Sequence, residues 1–153
     1  MSEVFFYHMT HAPLEATLPF LLGKSLEAGW QVVVRGREAR RIAWLDEKLW
    51  LGPEEGFLPH GRAGGPHDLD QPILLTTDDA LPNDAAALVS IDGADVTAEE
   101  LAGLTRAMIL FDGNDPQAVD HARAQWKALT GAGVKAKYWS QESGHWEMKA
   151  ESR

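Results

Sequence analysis

Cysteine is absent from the 153 residues. That excludes disulfides, cysteine-based zinc sites, iron–sulfur clusters and a thiol nucleophile together. Positive charge is scarce as well: 14 Lys and Arg stand against 23 Asp and Glu, a formal charge of −9. Proteins that hold DNA by neutralising phosphates carry a basic excess, so direct DNA binding is not expected. No stretch approaches the length of apolar residues that a membrane-spanning helix needs. The opening Met1 to His8 lacks a basic region ahead of a long apolar run, so no secretory leader is expected and the expected compartment is the cytoplasm.

Phosphate-binding and nucleophile motifs are missing too. The junction after the first apolar run reads His8-Met-Thr-His11 and not the glycine-rich dinucleotide fingerprint. Gly61-Arg-Ala-Gly-Gly65 lacks the Lys-Ser/Thr ending of a phosphate loop and a helix to follow it. No Gly-x-Ser-x-Gly elbow occurs. His8 and His11, three apart on a strand-to-loop segment, share no face and have no third ligand in ordered spacing, so they read as loop-edge histidines. Asp78, Asp79 and Asp112 fall at strand ends, but a phosphoreceiver needs its acidic pair after the first strand, where none stands. Asp112 and Asp115 are better read as turn and cap residues. No metal site, cofactor or catalytic residue is assigned.

What remains is a chain with 44% hydrophobic and 24% charged residues, the composition of a globular domain. Its length suits one domain, 1–153. Val-, Ile- and aromatic-rich runs predict strands at 3–8, 30–35, 72–76, 87–91 and 106–111. Helical periodicity covers 13–29, with Pro19 awkwardly inside it, then 37–51 and 97–104. Thr97-Ala-Glu-Glu100 offers a capping box. The clearest helix begins with Asp115 as cap and Pro116 in its first turn, carries Val119, Ala122, Trp126 and Leu129 on one stripe, and closes at Gly131. Residues 134–141 alternate as an exposed or edge strand, and 145–149 can follow as a last one. Residues 52–71, with three prolines and five glycines, read as a long loop. The alternation predicts an α/β domain with a mostly parallel central sheet and helices on both faces.

Side chains suited to contact stand out more than side chains suited to catalysis. Arg123 and Lys127 lie four apart on the last helix with Trp126 beside them, a small cationic strip on an acidic chain. Trp50 ends the second predicted helix and leads into a loop carrying Phe57. Trp and Arg are the residues that most often anchor interfaces.

With these residues the sequence resembles the chi subunit of bacterial DNA polymerase III. The matching pieces, in order, are Pro13-Leu-Glu15, Ala28-Gly-Trp-Gln-Val-Val-Val34, Leu45-Asp-Glu-Lys-Leu-Trp50 with Phe57-Leu-Pro-His60, Leu110-Phe-Asp-Gly113 and Ala122-Arg-Ala-Gln-Trp-Lys127. The resemblance implies a non-catalytic, Rossmann-like three-layer domain in the clamp-loader assembly of DNA replication. It also implies two partners: the acidic C-terminal tail of single-stranded DNA-binding protein, ending in Ile-Pro-Phe, and a small psi-type subunit. Carried over, Trp50 and Phe57 match an apolar floor for the tail and Arg123 the cation for its terminal carboxylate, with Trp126 and Lys127 alongside. Arg37, Arg40, Arg41 and Lys48 are candidates for a diffuse basic rim. Two departures stand: Val119 replaces a family lysine one turn before Arg123, and Trp126 replaces a family tyrosine. The rival reading is a small nucleotide-binding α/β enzyme or a phosphoreceiver-like domain that shares the layout.

Overall fold

A computed structural model describes residues 3–11, 13–50, 60–64, 68–78, 83–141 and 146–152, with the side chains of Trp50 and Leu69 left aside. The strands are β1 (Glu3–Met9), β2 (Val32–Arg35), β3 (His60–Arg62), β4 (Ile73–Thr76), β5 (Ala87–Ser90), β6 (Arg106–Asp112), β7 (Lys135–Ser140) and β8 (Glu147–Glu151). The helices are α1 (Leu14–Glu27), α2 (Ala39–Trp50), α3 (Ala98–Leu101) and α4 (Pro116–Gly131). The strands form one sheet in the order β3-β4-β2-β5-β6-β1-β7-β8. Every pairing is parallel except β7 with β8.

Strands buried on both faces need apolar residues at consecutive positions, and β2, β4 and β5 supply them. Alternate residues then belong to two cores. Val32, Val34, Ile73, Leu75 and Met108 face α1 and α2, through Leu18, Leu22, Ile42, Leu45 and Leu49. Val33, Leu74, Leu88, Ala107 and Ile109 face α3 and α4, through Leu101, Ala122 and Leu129. The predicted α/β class with helices on both faces is therefore present.

Local details depart from the sequence pattern in instructive ways. Helix α1 starts five residues before Pro19 and runs through it. Proline removes a helical donor, but burial of Leu18, Leu21 and Leu22 around it holds the turn. Residues 52–71 are not loop throughout: His60–Arg62 pairs with β4 as an edge strand. His-Gly-Arg has little strand propensity, and the pairing is a tertiary effect, reinforced where His60 Nε2 reaches the Asp46 carboxylate on α2 at 3.1 Å. The expected edge strand 134–141 lies one place inside the edge, because β8 covers its outer side. Helix α4 ends at Gly131 as the sequence predicts, while the left-handed conformation is taken two residues later by Gly133, with φ of 89°. The capping box is half-formed: the Thr97 hydroxyl accepts from Glu100 N at 3.2 Å, but the Glu100 carboxylate is held by Arg35 at 2.7 Å.

Beyond α1, the face of β1 that carries Phe5 is lined by aromatic rings. Tyr7 meets Trp146 edge-on at 5.4 Å. Burial pushes the Tyr7 phenol up to about 12, and the nearby Arg106 charge offsets part of that rise. A phenol whose folded pKa exceeds its unfolded value of 10.0 stabilises the fold below pH 10 and loses that contribution as pH climbs toward 12. Denaturant unfolding across that window should show a decline of roughly 2–3 kcal/mol assignable to this group, absent in Tyr7→Phe.

Candidate functional site on the outer flank of the last helix

Helix α4 is fixed at its start by Asp115, whose carboxylate accepts from Gln117 N at 3.0 Å, with Pro116 following. One flank faces the segment after β5: His121 meets Asp95 at 2.8 Å and Gln125 accepts from Val96 N at 2.9 Å. At about 100° per residue, Val119, Arg123, Trp126 and Thr130 lie on the other side, toward β7. Ring contacts agree with that direction. The half-buried Trp126 packs on Phe6 of β1 at 5.3 Å and edge-on against Tyr138 of β7 at 6.2 Å. Arg123 and Lys127 are exposed, and neither has an ion pair among the described residues. The flank is thus an indole braced from beneath with two uncommitted cations beside it.

Trp50 is not brought to this flank. Its helix, α2, packs on the face of the sheet opposite α4 and near the other end, against β3 and β4. Phe57 lies outside the described residues. The expected basic rim is likewise elsewhere. Arg40 and Lys48 are exposed on α2, and Arg41 is taken up by Asp92 at 3.0 and 3.2 Å, lying 4.3 Å from the Trp44 ring. The hydrogen bond to Asp92 holds the Arg41 pKa above its ordinary value, against the opposing effect of burial. Arg37, just before α2, lines a cleft with His121, on the flank of α4 away from Arg123.

That cleft, about 810 Å³, opens at the carboxyl ends of β1 and β6. The connection after β1 leaves toward one face and that after β6 toward the other, so this is the topological switch point where open α/β sheets hold ligands. Its carboxylates are Asp92, Asp112 and Asp115, against the single guanidinium of Arg37. Each carboxylate is engaged locally, Asp92 by Arg41, Asp112 by Asn114 N at 2.9 Å and Asp115 by the helix start. Of the two histidines weighed as ligands, His8 bonds Tyr138 and His11 is exposed beyond the strand. Among the described residues no three His, Asp or Glu side chains converge in a way that could hold a metal ion. Asp78 receives Arg35 on its carbonyl oxygen, and Asp79 lies outside the described residues. No helix among the described residues is long and apolar enough to cross a membrane.

The fold defines an α/β protein with a mostly parallel sheet, and the outer flank of α4 carries an indole with two exposed cations beside it. The family follows from the sequence as a whole. Residues 1–137 match the family model described as DNA polymerase III chi subunit, HolC, and the chain belongs to that family. It is also similar to a protein of Rickettsia prowazekii (strain Madrid E) named probable DNA polymerase III subunit chi. The two are 26% identical over 96 residues, which is 63% of this chain and 58% of the relative. The chain thus spans less than two thirds of that relative's length. The family resemblance read from Leu45 to His60 and from Ala122 to Lys127 is therefore established.

Truncations separate contact residues from packing residues on this helix. Arg123→Ala and Lys127→Ala should shift unfolding free energy by less than about 0.5 kcal/mol, as exposed, unpaired positions do. Trp126→Ala should cost roughly 3 kcal/mol, the low end for an aromatic truncated against a core. Urea titrations of the three variants measure both.

Proposed function

We propose that this polymerase III subunit does no chemistry of its own and tethers the replication machinery to single-stranded DNA-binding protein, whose acidic C-terminal tail it grips on the outer flank of α4. The observation that carries this reading is the pair of exposed cations, without ion pairs among the described residues, beside a braced indole in a chain of net charge −9. A peptide ending in a phenylalanine must bury a ring while its carboxylate stays paired. Trp126 offers the apolar wall. Arg123, with its fork of donors, takes the carboxylate. Lys127 lies within reach of the acidic residues that precede the terminus, where a rim charge speeds encounter more than it deepens affinity. Val119, where the family has a lysine, leaves this edge with less charge, so the grip on the tail is modest and tethering makes it effective through local concentration.

Trp50 is not part of this grip in our reading, because α2 packs on the face of the sheet opposite α4; Phe57 lies outside the described residues. A psi-type subunit is the second partner the family implies, and a partner on the α2 side would not compete with the tail. The nucleotide-binding alternative is disfavoured by charge: at the strand-end cleft a nucleotide's phosphates would meet three carboxylates and one arginine.

The test is a calorimetric titration with a short peptide ending in Asp-Ile-Pro-Phe. Saturable binding that weakens with salt is expected, with loss of at least about tenfold in Arg123→Ala, since charge-assisted bonds are worth about 1.5–3 kcal/mol. A peptide lacking the terminal Phe should not bind. Trp50→Ala should bind as wild type does. If Trp50→Ala abolished binding at unchanged stability, the one-flank site would be wrong; if wild type did not bind, so would the tethering role.

A further inference from the structure

The rings beneath Trp126 do more than fill space. Tyr138, which meets the Trp126 indole edge-on, has its hydroxyl 2.7 Å from His8 Nδ1. The His8 ring lies nearly parallel to Phe111, with centroids 5.1 Å apart and planes 17° from each other. Gly113 borders that ring too: a Cβ there would overlap Cδ2 and Nε2 of His8. Gly113 does not occupy the left-handed region, so glycine is required here by the ring and not by the backbone. His8 Nε2 is buried and has no hydrogen-bond partner among the described residues. A half-satisfied imidazole is costly to bury. Packing alone does not call for histidine at this place, whereas the bond to Tyr138 does.

We propose that His8, Tyr138 and Gly113 are positioning residues for the peptide-binding flank of α4. His8 pins the Tyr138 ring, Tyr138 sets the angle of the Trp126 indole, and Gly113 keeps open the space in which His8 lies. The inference rests on the reading of that flank as a peptide site and names the groups that hold its apolar wall. A wall set in advance spares the incoming peptide the entropy of ordering a swinging indole. It also gives the Leu110-Phe-Asp-Gly113 match a physical role, at a distance from any residue that touches the peptide.

The experiment is titration of the same Asp-Ile-Pro-Phe peptide into wild type, Arg123→Ala, Tyr138→Phe, His8→Ala and the Tyr138→Phe/His8→Ala pair. Each single change at the pin should lower affinity roughly two- to tenfold, the range for one lost neutral hydrogen bond. The pair should lose no more than either alone, because both break the same link. Gly113→Ala should melt at a lower temperature, and adding His8→Ala should recover the melting temperature but not the affinity. A purely structural role would return both together. Wild-type affinity in Tyr138→Phe and His8→Ala, with binding lost in Arg123→Ala, would overturn this inference and leave the peptide site standing. Absence of binding by wild type would overturn both.

Discussion

Parallel pairing governs this molecule. Two adjacent parallel strands cannot be joined by a tight turn, so the chain must cross over one face of the sheet or the other between them. The connections after β1 and β2 run over one face as α1 and α2; those after β5 and β6 run over the opposite face as α3 and α4. Everything on the surface inherits that division. Trp50 and Arg123 are separated by a full layer of strands because their helices leave strands on different sides. The same division opens the cleft between β1 and β6.

Two buried polar side chains tie strand ends to neighbouring segments. Arg35, buried at the end of β2, donates to the carbonyls of Asp78 and Asp95 and to the Glu100 carboxylate, joining three segments. Asn83 does the same beneath the sheet, donating to Val32 and Gln71 carbonyls. Arg35 thereby holds Asp95 in the segment after β5, against which α4 rests through His121 and Gln125. On the proposed reading, a peptide meeting the other flank of α4 would have little of it to order.

The fold was largely legible because its signals are short-range. Continuous apolar runs such as Val32–Val34, the Asp115-Pro116 helix start and the stripe Ala122, Trp126, Leu129 each need only a few neighbouring residues to be read. Strand β3 was not, since His60-Gly-Arg62 becomes a strand only because β4 offers it a row of partners. Of the candidate site, the part on α4 was legible. Arg123, Trp126 and Lys127 share one helix flank, and helical spacing alone brings them together. Joining Trp50 to them required knowing which face each crossover takes, and hydrophobic pattern carries no such information. The His8–Tyr138 link, 130 positions apart in sequence, left no local trace beyond a histidine ending an apolar strand and a glycine following another.

Strand β8 has a consequence for life at high local concentration. It is the outermost strand on its side, and its exposed residues Lys149 and Glu151 carry charge, with Lys149 paired to Glu147 at 3.3 Å and Lys137 to Glu151 at 3.9 Å. Charged outer strands discourage a neighbouring copy from adding its own strand. This chain is thereby discouraged from polymerising edge to edge, however many copies are brought close together. Its assemblies are left to be decided by side chains and not by open backbone.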